Sequence, residues 1–153
     1  MYFTIHKFKK LTLLIEAEEK AITRISSSLI PSTGAVNQKN LIIEQAIREL
    51  EEYFDGTRRE FQVPVHLYGT DFQKNVWNAL MKIPYGKVCT YKDIAKAVGN
   101  EKACRAVGMA NHRNPVMIVV PCHRVIGSDG KLTGYAGGID IKEYLLELEK
   151  RVL

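Results

Sequence analysis

One stretch of the chain combines residues that can do chemistry. Pro121 ends a strand-like apolar run that begins at Ile118, and Cys122, His123 and Arg124 follow at once. Proline cannot donate to a strand ladder, so we expect the run to stop there and to present Cys122 at a bend. A thiol reacts as its thiolate, and neighbouring basic groups lower the pKa of a cysteine from about 8.5 toward neutrality. The stretch therefore predicts that Cys122 is a nucleophile.

A cysteine beside a histidine suits nucleophilic catalysis. The imidazole of His123 can draw the proton from Cys122, and a carboxylate can hold the imidazole in place. Glu149, near the end of the last predicted helix, is the acid that we select for this role. The competing interpretation is that Cys122 is an inert packing residue, as most lone cysteines of soluble proteins are.

Composition limits the classes of protein to consider. The 153 residues are 46% hydrophobic, which is typical of soluble globular proteins. No apolar run approaches the roughly 20 residues of a membrane span, and the N-terminus lacks a signal-peptide block, so we expect a cytoplasmic protein. The cysteines Cys89, Cys104 and Cys122 are odd in number and lack Cys-x-x-Cys spacing. They indicate reduced thiols and argue against a disulfide framework or a zinc knuckle.

The net charge of +5 is unevenly distributed. Residues 70–153 hold 13 Lys+Arg against 8 Asp+Glu, whereas residues 1–69 hold 9 against 9. The half that carries Cys122 therefore suits a polyanion. A solvated surface with slightly more lysine than acid explains the same numbers.

Residues 1–69 predict a small α/β domain that supports the rest of the chain. Helical spacing of apolar residues predicts a helix over residues 41–54, and residues 26–40 resemble a flexible connection. Three runs rich in β-branched and aromatic residues predict an antiparallel meander. These runs are residues 2–8, 11–17 and 21–26.

Residues 70–153 predict a mostly helical domain. Thr70 and Gln73 form a capping box for a helix over residues 71–82. Asp140 and Glu143 form a similar start for a last helix over residues 141–151. Two short helices lie between them, one over residues 91–98 capped by Thr90 and one over residues 101–112 capped by Asn100. Short helices joined by a glycine turn are typical of a helix-turn-helix, whose second helix meets DNA.

The second of these short helices has a small-residue surface punctuated by Arg105. It lacks the long polar side chains that read base edges in the major groove. Its composition favours sequence-independent contact with a groove, although simple packing of its alanines against the preceding helix explains part of it. The small residues are Ala103, Cys104, Ala106, Gly108 and Ala110.

Several motifs together resemble the O6-alkylguanine-DNA alkyltransferases, also called methylated-DNA–protein-cysteine methyltransferases. The resemblance covers residues 70–153 almost without gaps, and the N-terminal half matches more loosely through the element at residues 52–56. The motifs are Arg-Ala-Val-Gly at 105–108, Asn-Pro-Val at 114–116, Pro-Cys-His-Arg-Val at 121–125, Gly-Tyr-Ala-Gly-Gly at 134–138, and Lys142 with Leu145, Leu146 and Glu149.

The resemblance implies a fold and an activity. The fold is an α/β domain over residues 1–69, a ribonuclease H-like unit of a small antiparallel sheet plus a helix, followed by a mostly α winged helix-turn-helix domain over residues 70–153. The activity is DNA repair, in which the protein enters the minor groove of duplex DNA and flips an O6-alkylguanine out of the stack. The alkyl group then passes irreversibly to Cys122, so each molecule acts once.

The resemblance also implies roles for individual residues. His123 serves as the base, and Glu149 reaches it through a water molecule. Arg105 fills the space that the flipped base leaves. Tyr91 helps to turn the nucleotide out and delivers a proton to the departing guanine.

The remaining site residues implied by the resemblance line the DNA surface and the pocket. Asn114 ties the DNA-binding helix to the active-site turn, Tyr135 supports the pocket, and backbone groups of Val125 and Ala136 read guanine. Ala103, Ala106 and Gly108 join Arg105 and Tyr91 in contacting DNA. We expect no cofactor, no obligate protein partner and a monomer. Some relatives carry zinc in the N-terminal domain, but residues 1–69 contain no cysteine, so we expect no metal.

Three other functions compete with alkyl transfer. An alkyltransferase-like lesion-binding protein lacks the nucleophile, whereas Cys122 is present here. A cysteine hydrolase uses the same cysteine and histidine but turns over repeatedly and ignores DNA. A winged-helix transcription factor needs base-reading residues and usually a dimer interface, and neither is evident.

Overall fold

The chain divides into two units, Met1–Leu67 and Tyr68–Leu153. The structure is a computed structural model that describes residues 1–132, 135 and 138–152. None of the described helices combines the length and the hydrophobicity that crossing a bilayer requires.

A four-stranded sheet forms the first unit, in the order β3-β2-β1-β4. The three predicted strands are confirmed, and their contacts are antiparallel. A fourth strand lies in the predicted flexible connection and pairs parallel to β1, so that part of the prediction is wrong. The strands are β1 Tyr2–Lys7, β2 Thr12–Ala17, β3 Ile22–Ser26 and β4 Val36–Asn37.

The free edge of β1 explains the unpredicted strand. Val36 donates its backbone N–H to the Met1 carbonyl at 3.0 Å, and Gln38 donates to Phe3 at 3.1 Å. Exposed strand edges present unpaired backbone groups that a passing segment can satisfy. Two residues are too few for such pairing to leave an alternating pattern in the sequence.

Helix α1, Leu41–Phe54, has the predicted bounds and covers the sheet. The Asn40 side chain accepts from the backbone N–H of Ile43 at 2.9 Å and caps the helix. Glu49 on its buried face accepts from the backbone N–H groups of Gln62 at 2.8 Å and Val63 at 3.1 Å. These bonds hold the segment at Gln62 and Val63 against α1.

In the described part of the second unit, four α-helices accompany a two-stranded ladder. Trp77 is buried and donates its indole N–H to the Ala110 carbonyl at 2.8 Å, which joins two of the helices. The capping box of Thr70 and Gln73 is confirmed, and Thr90 caps the next helix together with Asp93. The elements are α2 Asp71–Leu80, β5 Cys89–Thr90, α3 Tyr91–Ala97, α4 Cys104–His112, β6 Val125–Ile126 and α5 Ile139–Val152.

Two helix starts differ from the prediction. Asn100 does not cap α4, because its side chain accepts from Lys102 within a separate turn and α4 begins three residues later than predicted. Asp140 lies inside the first turn of α5, so its predicted capping box with Glu143 is also wrong. Gly138 takes the start of α5 instead: its φ is 97°, and its carbonyl accepts from the Lys142 N–H. Glycine adopts this left-handed backbone without steric cost.

Candidate active site

The bend that carries Cys122 is a succession of tight turns. The apolar run before it is not a strand, since Ile118 has a φ of 75°, which a β-branched residue rarely adopts. Cys122–Arg124 then form one turn of 3₁₀-helix, in which Arg124 donates its N–H to the Pro121 carbonyl at 3.0 Å. The predicted bend is therefore confirmed, while the predicted strand before it is wrong. A strained backbone of this kind costs about 1–3 kcal/mol and persists only where its surroundings hold it.

Two buried asparagines hold this bend. The Asn114 side chain donates to the Val120 carbonyl at 2.8 Å and accepts from the Val116 N–H at 3.0 Å. Asn111, on α4, donates to the Cys122 carbonyl at 3.4 Å. The Asn111 amide thus joins α4 to the thiol-bearing turn, while the Asn114 amide, two residues after α4, holds the segment that leads into this turn. Asn111 was not predicted as a site residue. The sequence feature that could have identified it is a polar residue at a position on the buried face of a helix.

Replacing Asn114 by alanine is expected to lower the free energy of unfolding by about 1–3 kcal/mol. The change leaves the buried Val116 N–H without its partner. It also removes one of the two donors to the Val120 carbonyl, which still accepts from the Cys122 N–H. Urea denaturation measures the loss, with Asn78→Ala as the control because Asn78 is exposed on α2. Equal stability of the two variants would contradict a clamping role for Asn114.

Glu149 on α5 receives four hydrogen bonds in a buried cluster. His123 Nε2 lies 2.6 Å from Glu149 Oε2. Arg124 donates through Nε to Oε1 at 2.9 Å and through Nη2 to Oε2 at 3.0 Å, a two-pronged contact. The backbone N–H of Gly86 donates to Oε1 at 3.0 Å. The expected water between Glu149 and His123 is wrong, because α5 brings the carboxylate into direct contact with the imidazole.

These contacts fix the charges of the cluster. Burial opposes ionisation of Glu149, but the bonds and positive charges of His123 and Arg124 outweigh it and hold its pKa well below the usual range. Burial lowers the pKa of His123 in spite of the Glu149 carboxylate. His123 is therefore neutral near pH 7 and donates Nε2–H to Glu149. Its Nδ1 atom has no hydrogen-bond partner among the described residues, which leaves a lone pair for a proton.

The Cys122 thiol is buried, with 1% of its surface exposed. Burial raises its pKa to about 11 and outweighs the opposite effects of Asn114, Lys142 and Tyr135. The prediction that neighbouring basic groups bring this pKa toward neutrality is therefore wrong. The reason is geometric, since His123 Nε2 and Arg124 Nε and Nη2 bind the Glu149 carboxylate, and Arg124 Nη1 donates to the Ile83 carbonyl.

The other pocket residues surround this turn. Val125 is buried, and its strand pairs with Cys89. Tyr135 is buried, and burial raises its pKa well above the usual value. Lys142 is fully buried, and its Nζ donates to the Val125 carbonyl. Ala136 lies outside the described residues. Lys142 has a place in this cluster that sequence reasoning did not give it.

The residues expected to contact DNA lie on α3 and α4. Tyr91 begins α3 and is half-buried, and a Cβ placed on Gly108 would lie 3.9 Å from its ring. Arg105 and Ala106 are exposed on α4, whereas Ala103 and Gly108 are half-buried. The exposed stripe of α4 also includes residues that the resemblance did not name. These are Met109 and His112, with Arg113 just after the helix.

Comparison with known proteins gives the family. The model described as "6-O-methylguanine DNA methyltransferase, DNA binding domain" matches residues 71–151, and the "ribonuclease-like domain" of the same family matches residues 1–67. A methylated-DNA–protein-cysteine methyltransferase of Methanosarcina acetivorans is 47% identical over 155 residues, which cover 97% of this chain and 98% of that protein.

Solved structures agree with this match. The crystal structure of Mycobacterium tuberculosis OGT in complex with DNA superposes with a TM-score of 0.93 at 41% identity, covering 99% of this chain and 94% of that one. An O6-methylguanine DNA methyltransferase from Methanococcus jannaschii gives a TM-score of 0.69 at 27% identity, covering 95% and 92%. The chain therefore belongs to the 6-O-methylguanine DNA methyltransferase family.

Proposed function

We propose that the protein repairs DNA as a methylated-DNA–protein-cysteine methyltransferase, moving the alkyl group of an O6-alkylguanine irreversibly onto Cys122. The observation that carries the proposal is the arrangement on the Cys122–Arg124 turn. Cys122 is followed directly by His123, a neutral imidazole whose Nε2–H is held by Glu149, so that Nδ1 is the basic atom. Family membership and the DNA complex of a similar protein support the same function.

The reaction is a displacement at the alkyl carbon. The Cys122 sulfur attacks that carbon, the sulfur–carbon bond forms, and the bond between carbon and guanine O6 breaks. The thiol proton passes to His123 Nδ1, directly or through solvent, and the Glu149 carboxylate stabilises the imidazolium. Tyr91 gives its hydroxyl proton to the departing guanine and recovers one from solvent. The product thioether does not hydrolyse, so each molecule reacts once.

Burial of the sulfur explains why the base leaves the duplex. A stacked guanine cannot bring its O6 substituent to a thiol in the interior of a protein, so the nucleotide rotates into the pocket. Backbone groups of Val125 and Ala136 read the guanine there, and Tyr135 supports the pocket wall. Recognition then depends on weakened pairing and on pocket shape, with little dependence on the flanking sequence.

The helix-turn-helix of α3 and α4 supplies the DNA contact. The minor groove is only about 6 Å wide, and small side chains such as Ala106 let a helix approach it closely. Arg105 enters the space that the flipped base leaves, and Arg113 adds positive charge at the end of the exposed stripe. The proposal includes binding as a monomer and work in the cytoplasm, in association with the nucleoid if the source is bacterial or archaeal.

Arg105→Ala is expected to slow transfer from duplex DNA by about tenfold or more, because the flipped state loses the side chain that holds it open. Transfer from a single-stranded oligonucleotide should fall much less, since its lesion is already unstacked. Arg113→Ala is the matched control and should weaken both substrates alike through lost charge. An equal loss on both substrates with Arg105→Ala would assign that residue to simple charge attraction.

A stoichiometric assay tests the function itself. The protein is mixed with an excess of duplex containing one O6-methylguanine, and the remaining lesion is counted. Alkyl transfer predicts that one lesion disappears per chain and that the reaction then stops. A lesion-binding protein would leave every lesion in place, and a cysteine hydrolase would instead turn over an activated ester such as p-nitrophenyl acetate.

A further inference from the structure

A fully buried lysine lies beside the proposed nucleophile and has no part in the proton transfer described above. Lysine is almost never fully buried unless its charge has a use or a partner. Lys142 has 0% of its surface exposed, and its Nζ donates to the Val125 carbonyl. Val125 in turn donates its backbone N–H to the Cys122 carbonyl, so the ammonium group is held on the turn that carries the sulfur.

The charged groups near Cys122 fall into two sets, one that acts on His123 and one that acts on the sulfur. Arg124 grips both oxygens of Glu149, and this pair acts on His123. His123 itself is neutral, and the Tyr135 hydroxyl is neutral because burial raises its pKa. Among the described groups that face Cys122 from the turn and from α5, Lys142 has its ammonium group bound to the carbonyl of Val125, and its positive charge lowers the pKa of Cys122.

We propose that Lys142 is the counter-charge of the Cys122 thiolate, and that its ammonium group stabilises the anionic sulfur from which the alkyl transfer proceeds. The proposal rests on the proposed use of Cys122 as the alkyl acceptor. In the low-dielectric interior a nearby cation stabilises an anion far more than it does in water. Lys142 transfers no proton in this step, because the thiol proton goes to His123. The ammonium group acts only through the electrostatic attraction between its positive charge and the sulfur.

The titration of the pair agrees with this role. Burial lowers the pKa of Lys142 to about 8, while the nearby sulfur acts to raise it. The ammonium in turn acts to lower the pKa of Cys122. Below about pH 8 the lysine is charged, and the fraction of Cys122 that has lost its proton to solvent rises tenfold per pH unit. Above that pH a deprotonated lysine no longer stabilises the thiolate, so the reactive population levels off.

Three substitutions separate the charge of Lys142 from its hydrogen bond. Lys142→Met removes both, Lys142→Gln keeps an N–H donor for Val125 without the charge, and Lys142→Arg keeps the charge. The control is Lys150→Met, because Lys150 is exposed on the same helix. The probe is iodomethane, which methylates the sulfur with loss of iodide and of the thiol proton and needs no DNA. Peptide mass spectrometry follows Cys122 separately from Cys89 and Cys104.

At pH 7 the Met and Gln variants should methylate Cys122 about tenfold or more slowly than wild type, which corresponds to one or more units of thiol pKa. The Arg variant should recover most of the rate, and Lys150→Met should match wild type. A Gln variant as fast as wild type would overturn the proposal, because the hydrogen bond alone would then suffice. The iodomethane reaction needs no DNA. If the variants show these iodomethane rates but the wild type does not remove methyl groups from O6-methylguanine in DNA, the result would count against the proposed function only.

Circular dichroism checks the fold of each variant, and a second measurement covers the case in which the neutral variants unfold. The wild-type rate with iodomethane should level off above about pH 8, where Lys142 loses its proton. The Lys142→Arg rate should continue to rise, because arginine keeps its charge. Parallel wild-type and Arg curves from pH 7 to 10 would overturn the proposal.

Discussion

Cys122→Ala protein is expected to bind a duplex containing O6-methylguanine about as tightly as wild type and to remove none of its methyl groups. The substitution takes away the only sulfur on the Cys122–Arg124 turn and leaves the exposed faces of α3 and α4 unchanged. Gel-shift binding and lesion counting on the same samples measure the two properties separately.

Matched cysteine variants complete this test. Cys89 and Cys104 are half-buried thiols outside the cluster of His123 and Glu149. Cys89→Ala and Cys104→Ala should therefore transfer the methyl group at close to the wild-type rate. Loss of transfer in either of them, with transfer retained in Cys122→Ala, would move the acceptor to another sulfur.

Glu149→Gln should lose both stability and activity. The substitution leaves the buried Arg124 guanidinium without its counter-charge, and breaking such a pair costs about 3–5 kcal/mol. The substitution also weakens the hydrogen bond that orients the His123 imidazole, and it removes the negative charge that stabilises the imidazolium. Transfer should therefore fall by about a hundredfold or more. Glu147→Gln is the control, because Glu147 is exposed on the same helix. Urea denaturation and single-turnover transfer give the two numbers.

The stability effect of Glu149 has a defined pH dependence. Its pKa is lower in the folded protein than in the unfolded chain, so its stabilisation is fully present above the unfolded value of about 4.3. The stabilisation is lost as the pH falls through the lower, folded pKa. The stability difference between wild type and Glu149→Gln should therefore be constant from pH 6 to 8 and shrink below about pH 4. A difference that grows on acidification would contradict the pairing.

Local signals account for what the sequence predicted well. The confirmed capping boxes depend on residues three positions apart, as with Thr70 and Gln73. The same spacing was misleading at Asp140 and Glu143, because α5 begins before Asp140. The bend at Pro121 was also predicted from a local signal, because proline has no backbone N–H to donate to a strand ladder. Motif resemblance gave Cys122, His123 and Glu149 as a group, and the structure brings the imidazole and the carboxylate together across 26 positions.

The features that escaped prediction depend on which way side chains turn after folding. Arg124 follows Cys122 by two residues, yet it faces Glu149 and does little to ionise the thiol. Lys142 lies three residues before Leu145 and therefore shares the buried face of α5, but this spacing does not show that the thiol-bearing turn covers that face. The direct contact between Glu149 and His123 likewise depends on how closely α5 packs against the Cys122–Arg124 turn, and sequence spacing does not predict that distance.

The most direct measurement locates the transferred methyl group within the chain. The protein is incubated with an equimolar duplex containing O6-methylguanine, digested and examined by tandem mass spectrometry. Alkyl transfer predicts one added methyl group per chain, carried by the peptide that contains Cys122 and absent from the peptides of Cys89 and Cys104. An unmethylated Cys122 beside a repaired duplex, or a duplex that keeps its lesion, would contradict the assignment of this sulfur as the acceptor.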